Sequence, residues 1–327
     1  MRIFLGLVAA SLYAAGCLLA TSLDGLEGPP QSGASGASGA GGTDIADAEA
    51  RDGPSDGDGS SPDVFAAGPV LFRDRKNGGS PRGITLSRDG VYWAEAAPNV
   101  GILYAPKVGA TTPVHLEAQS DLVRDVFDVG VDDVSLYWTE YSANVVRSRP
   151  LLGGNSAANY FTGAGHAAYL AMADNGHLLL TDYNTTIAAV VYGPTSIAVA
   201  NDQKPPASGI AYCSSVVYWA YGQPSYIATS DPMGNARNNR YYTPPDAVTI
   251  TGLACDDTNL YWIANNRSIQ WIDLVEKLAN PPLYTADVAF ESGDNVGDIA
   301  VDADWIYFTE PQTRAISKLA KPPARDR

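Results

Sequence analysis

Apolar and polar positions alternate in short bursts along most of this chain, and the bursts recur. The clearest is a five-residue phrase. It reads Val91-Tyr92-Trp93-Ala94-Glu95, then Leu136-Tyr137-Trp138-Thr139-Glu140, then a degenerate Leu178-Leu179-Leu180-Thr181-Asp182. It returns as Val217-Tyr218-Trp219-Ala220-Tyr221, Leu260-Tyr261-Trp262-Ile263-Ala264 and Ile306-Tyr307-Phe308-Thr309-Glu310. The Tyr slots are 45, 42, 39, 43 and 46 residues apart. Strand-like phrases at this interval mark the blades of a β-propeller.

Each unit has a common grammar. A short apolar strand comes first, such as Asp128-Val129-Gly130-Val131 or Gly252-Leu253-Ala254. A polar turn follows, rich in Asp, Asn, Gly or Ser, and then the Tyr-Trp strand. A third strand comes next, for example Asn144-Val145-Val146-Arg147, and an outer strand precedes the following unit. Strands bounded by such turns are antiparallel hairpins. One unit alone cannot bury both faces of its sheet, and packing around a ring solves this. After the sixth unit only Lys321 to Arg327 remain, too few for an outer strand. Pro69-Val70-Leu71-Phe72, ahead of the first unit, is the candidate to complete the last blade and remove the open edge. The fold class predicted is all-β: a six-bladed β-propeller of four-stranded blades over 67–321, closed by an N-terminal strand. The third blade is expected to be the least regular, and 322–327 is a tail.

The repeated phrase resembles that of YWTD-type six-bladed propellers in lipoprotein-receptor ectodomains. The best copies are Tyr137-Trp138-Thr139-Glu140 and Tyr307-Phe308-Thr309-Glu310, and the likeness covers about residues 68–320. Glu replaces the final Asp in three copies, and Tyr221 or Ala264 takes its place in two. The resemblance implies shared geometry, not shared partners.

The first 66 residues follow a different logic. Arg2, the apolar run from Ile3 to Ala10, and Ala14-Ala15-Gly16-Cys17 resemble a bacterial lipoprotein signal. In that family the cysteine becomes the lipidated first residue, although Leu is usual where Ala14 stands. Residues 1–16 are then a signal peptide and Cys17 the lipidation site. An ordinary secretory signal and an uncleaved span of about 21 apolar residues are the alternatives. Residues 17–66 contain a Gly/Ser/Ala run and an acidic Gly/Pro-rich run. They bury too little apolar surface to fold alone and read as a disordered linker. The chain is expected to be exported and held at the bacterial cell envelope, at the outer membrane or cell surface.

Charge narrows the partners. The formal net charge is −15, with no basic run, which argues against nucleic acid and leaves the N-terminal anchor as the membrane contact. Glu95, Glu140, Asp182 and Glu310 share the slot three residues after the Tyr position. Pointing into a channel they would suit Ca²⁺, but bracing of turns and neighbouring blades is the favoured reading, and no cofactor is expected. Turn chemistry accounts for Asp132, Asp256 and Asp302. Some resembling propellers are lactonases with a metal on channel carboxylates and Asn; Glu95, Asn144, Asp182 and Asn265 would fill that role, with no spacing that singles them out. Cys213 and Cys255 stand in matching strands of units four and five and are expected to form a disulfide between blades. Their one-residue offset is the objection. Tyr141, Tyr183, Tyr221 and Tyr226 fall in or beside the loops after the second strand and form the candidate binding face. Taken together, the chain reads as a monomeric, non-enzymatic, envelope-tethered module binding a protein or glycan. The alternative is a metal-dependent periplasmic hydrolase or lactonase.

Overall fold

The computed structural model describes residues 68–323, apart from short stretches at 76–77, 99, 110–111, 119–124, 153–156, 163–164, 174–175, 183–186, 193–194, 202–206, 247 and 292–295. The predicted signal peptide, Cys17 and the whole of the predicted linker lie outside the described residues. Every element named among those residues is a strand.

The strands form six four-stranded antiparallel sheets. The first sheet holds β2 (Ser80–Leu86), β3 (Gly90–Ala96), β4 (Gly101–Pro106) and β5 (Val114–Ala118). The second holds β6 (Val126–Val131), β7 (Ser135–Glu140), β8 (Val145–Pro150) and β9 (Ala158–Thr162). The third holds β10 (Ala167–Met172), β11 (Leu178–Asp182), β12 (Ile187–Tyr192) and β13 (Thr195–Asn201). The fourth holds β14 (Ala207–Cys213), β15 (Val216–Tyr221), β16 (Tyr226–Ser230) and β17 (Asn238–Tyr242). The fifth holds β18 (Ile250–Cys255), β19 (Asn259–Ala264), β20 (Ser268–Asp273) and β21 (Tyr284–Thr285). The sixth runs in the order β1 (Val70–Asp74), β24 (Ala315–Ala320), β23 (Trp305–Glu310) and β22 (Ile299–Val301).

Two features make this a propeller. The first strands touch in sequence, β2 with β6, then β10, β14, β18 and β22, and β22 packs back against β2. The N-terminal β1 pairs with the C-terminal β24, Val70 opposite Lys318 and Asp74 opposite Ala315. The first and last parts of the ring are thus stitched within one sheet, and the edge of β24 is covered.

The Tyr-Trp phrase supplies the core. Successive strand residues face opposite sides of a sheet, so adjacent Tyr and Trp point at different neighbours. Tyr92 of β3 packs with Trp138 of β7, and Tyr218 of β15 with Trp262 of β19. Tyr261 meets Phe308, and Tyr307 meets Trp93 across the closing seam. The degenerate copy keeps the rule: Leu180 faces Tyr137 in the second sheet, and Leu179 faces Trp219 in the fourth. The core is therefore six clusters, one in each seam. Trp93, Trp138 and Phe308 are fully buried, which makes this row packing and not a sugar platform.

The cysteines follow the same alternation. Cys213 and Cys255 form a disulfide, with Cα atoms 6.0 Å apart. Equivalent positions of two sheets point the same way around the ring and cannot meet. A one-residue offset flips one of them, so the offset is the condition for the bond.

Replacing both cysteines by alanine is expected to lower stability by about 2–4 kcal/mol without changing the fold. Urea unfolding followed by tryptophan fluorescence measures it; an unchanged midpoint would show that the bond adds nothing.

Candidate functional site

The acidic slot two residues after the Trp position is occupied by braces. Glu95, fully buried, accepts from Arg75 Nε at 2.5 Å and Nη2 at 3.1 Å, from the Gly79 N–H at 2.9 Å and from Trp93 Nε1 at 3.0 Å. Glu140 accepts from Trp138 Nε1 at 3.2 Å and Arg147 Nε at 2.9 Å. Glu310 accepts from Ser317 Oγ and from Thr313 Oγ1. The three carboxylates stand in three different sheets, and those of Glu140 and Glu310 are held by donors of their own sheet. The side chain of Asp182 lies outside the described residues. Among the described residues no group of three or more His, Cys, Asp or Glu is placed to hold a metal ion.

The turn acids act likewise. Asp132 Oδ1 accepts the N–H groups of Val134 and Ser135, while Oδ2 accepts the Tyr137 hydroxyl. Asp256 repeats this with Thr258, Asn259 and Tyr261, and its Oδ2 also meets Lys321 Nζ at 2.6 Å. Burial, with the Asp132 bond and charge adding to it, pushes the Tyr137 hydroxyl up to about 12. Burial alone would raise Asp256; Lys321 and the turn amides outweigh it and hold the carboxyl below its usual range. These residues tie each turn to its own Tyr-Trp strand.

The chemistry that stands out is at the axis. Ile84, Val129, Leu170, Ile210, Leu253 and Ile299 are each opposite the Trp slot of their sheet. The residue just before each is therefore equivalent: Gly83, Asp128, Tyr169, Gly209, Gly252 and Asp298. Both aspartates are buried. Asp128 Oδ1 accepts from its neighbour Val129, and Oδ2 accepts the Leu170 N–H of the next sheet at 2.7 Å. Asp298 Oδ2 accepts the Ile84 N–H at 3.0 Å, again one sheet on.

A threonine doubles each link. Thr139 Oγ1 accepts from the Asp128 N–H and donates to the Ala168 carbonyl of the next sheet at 2.8 Å. Thr309 does the same between the Asp298 N–H and the Arg82 carbonyl, at 2.9 and 2.7 Å. The seams between sheets two and three, and between six and one, thus carry paired polar latches at full burial. Polar atoms there need partners, and each latch supplies donor and acceptor together.

Glycine makes room for the acids. A Cβ on Gly83 would collide with Asp128 Oδ1 and stand 2.5 Å from its Cα; one on Gly252 would stand 2.9 Å from Asp298 Oδ1. Burial and the charge of Asp298 raise the Asp128 carboxyl well above its usual range. Burial pushes Asp298 up to about 7, against the opposing pull of the Ile84 and Ile299 amides. The two acids line one pit with Arg82, Gly83, Phe127, Tyr169 and Val296. Its free volume of about 10 Å³ is close to the room one water needs.

Aromatic side chains surround this pit. Phe127 packs edge-on to Tyr169, centroids 5.2 Å apart, and stacks on Tyr141 at 5.8 Å. Tyr141 in turn meets His166 at 4.8 Å. The Arg82 guanidinium lies 5.8 Å from the Phe127 centroid and pairs with Asp125 at 3.0 Å. Of the four tyrosines predicted to form the binding face, Tyr141 is in this cluster. Tyr183 lies outside the described residues. Tyr221 departs from the prediction: it is the last residue of β15, only 4% exposed, and points into the seam with Ala207, Ile210 and Trp219. Tyr226 packs edge-on against it at 4.0 Å, beneath Arg240. Strand alternation, which continues through Tyr221, turns it inward.

The sequence held an unused signal for the axial pair. Aspartate occupies an inner-strand slot that is Gly or Tyr elsewhere, and Thr follows the aromatic in those same two units. Reading across the repeats would have paired them.

No protein-family model matches the chain, and neither does any curated protein sequence. Solved structures with the same fold exist. The nidogen/laminin complex aligns over 62% of this chain and 79% of the matched chain, with a TM-score of 0.54 and 16% identity. Virginiamycin B lyase from Staphylococcus aureus aligns over 78% of this chain and 98% of its own, with a TM-score of 0.54 and 15% identity. The gluconolactonase XC5397 from Xanthomonas campestris aligns over 75% and 86%, with a TM-score of 0.55 and 12% identity. At these identities the likeness establishes a β-propeller and nothing about chemistry.

Gly83→Ala is expected to destabilise the domain by about 1–3 kcal/mol, because Asp128 backbone and carboxylate must both shift. Gly109→Ala is a poor control, since its backbone is left-handed (φ 93°); Gly68→Ala, with nothing within 4 Å, is the right one and should be near neutral. Chemical denaturation of both variants checks the difference.

Proposed function

We propose that this protein is a cell-envelope-tethered, non-enzymatic binding module, its six sheets acting as the six blades of one YWTD-like ring. It recognises a protein or glycan on the propeller face that carries Tyr141. The supporting observation is the aromatic and cationic cluster of Arg82, Phe127, Tyr141 and His166 around the axial pit. Aromatic and arginine side chains dominate the energetics of recognition surfaces. The acids beneath are engaged in backbone bonds between blades, and the pit is too small for a substrate. The matched chain of the nidogen/laminin complex, a structure of two proteins together by its description, is consistent with this use of the fold.

A second reading has its own support. The lyase and the gluconolactonase show that the fold carries enzymes. Asp128 and Asp298 at the axis would be the acids of a periplasmic hydrolase. Such an enzyme needs space at the axis that the pit does not offer in this conformation.

On the tethering reading, Cys17 carries the lipid and residues 17–66 hold the ring away from the membrane. Cys17→Ser is then expected to abolish incorporation of a labelled fatty acid and to release the domain into the soluble fraction; retained label would overturn the lipoprotein reading. In-cell crosslinking through the tethered protein tests the binding reading. Phe127→Ala with Tyr141→Ala should reduce the captured partner by about 30-fold or more, the loss expected of a hot spot of about 2 kcal/mol. Equal capture by this variant would move the site elsewhere. Turnover of a lactone or ester that is lost in Asp298→Asn would favour the enzyme.

A further inference from the structure

We propose that Asp128 and Asp298 form a proton-sharing pair that sets how tightly the ring closes around β2 as pH changes. The inference does not depend on what the protein binds.

The geometry carries it. β2 runs between the two acids. Asp298, from the sheet on one side, accepts the Ile84 N–H of β2. Asp128, from the sheet on the other side, lies directly against Gly83 of β2, where even a methyl group does not fit. Gly83 therefore brings two buried carboxyl groups to one small pit. Each is also the acceptor of a bond that crosses a seam, to Leu170 in one case and Ile84 in the other. With one proton between them the pair carries a single charge, and both cross-seam bonds persist. With both ionised, two charges repel across one small buried pit.

Other groups also face the pair. β2 contributes Arg82, whose Nη1 is engaged by Asp125 Oδ1 at 3.0 Å and by the Val126 carbonyl at 3.4 Å. β10 contributes the neutral Tyr169, β6 the ring of Phe127, and the segment before β22 the side chain of Val296. Thr139 and Thr309 add hydroxyls, already donating to carbonyls.

The sign follows from linkage. Both carboxyls hold a proton more tightly in the folded ring than in the unfolded chain. Their contribution is fully present below the ordinary aspartate value and is lost as pH rises through the folded values. Stability should therefore fall as pH rises from the ordinary aspartate range through about 7, the folded value of Asp298, and on toward the raised value of Asp128, a window in which the buried tyrosines stay neutral.

The experiment is denaturant unfolding of the wild type, Asp128→Asn/Asp298→Asn and each single variant across that window. The wild-type unfolding constant is expected to rise by about tenfold or more, while the double variant, which cannot ionise, rises much less. The double variant also corrects for the general repulsion of an acidic chain. Parallel profiles for wild type and double variant would overturn the proposal. If the double variant does not fold, amide exchange in the wild type decides. Protection at Ile84 and Leu170, corrected for intrinsic rates, should fall with pH relative to Ile210, whose sheet touches neither acid. Equal pH dependence at all three amides would overturn it.

Discussion

The structure depends on one stereochemical fact: neighbouring residues of a β-strand face opposite sides of the sheet. In the second strand of each unit, one position fills the seam ahead and the next fills the seam behind. A large apolar pair at those two positions thus puts an apolar contact in every seam. Among the described residues six such pairs give six seam clusters and no separate central core. The same alternation explains why Leu179-Leu180 can stand in for Tyr-Trp, why Tyr221 is interior, and why Cys213 and Cys255 must be offset to bond.

Apolar seams alone do not fix where the first strands sit along the axis. The polar latches do this. Asp128 with Thr139, and Asp298 with Thr309, join a carboxyl and a hydroxyl to the backbone of the next sheet. Both latched seams carry their acids at a burial that disfavours charge, and both acids share one pit. The arrangement is tolerable because Gly83 and Gly252 yield the space a side chain would take. The axis is therefore at once a structural joint and the most electrostatically loaded place in the described ring. The cysteine bond reinforces a seam that lacks such a latch.

What surrounds the pit bears on function. Phe127, Tyr141, Tyr169 and His166 form a continuous aromatic patch, with Arg82 above it. Three structures of the same fold belong to a protein–protein complex, a lyase and a lactonase, so architecture does not separate recognition from catalysis. The binding reading proposed above rests on particular side chains: carboxylates engaged by backbone amides, and aromatic rings in contact with one another at the rim.

The repeat, the order of strands and the closure by Val70 to Phe72 were legible in the sequence, because strand period and turn chemistry are local. So was the bracing role of Glu95 and Glu140, since loss of the acid in two copies argued against a shared metal. The axial pair was not legible in any one repeat. Asp128 and Asp298 are 170 positions apart, and only ring closure brings them to one glycine. Tyr141 and Tyr221 looked alike as loop-flanking tyrosines; one joined the rim and the other the seam. The sequence by itself determined that the chain forms repeated antiparallel strands and that residues alternate faces along each. Tertiary structure decided which of those faces meet, because seams between sheets join residues whose separation along the chain carries no local signal.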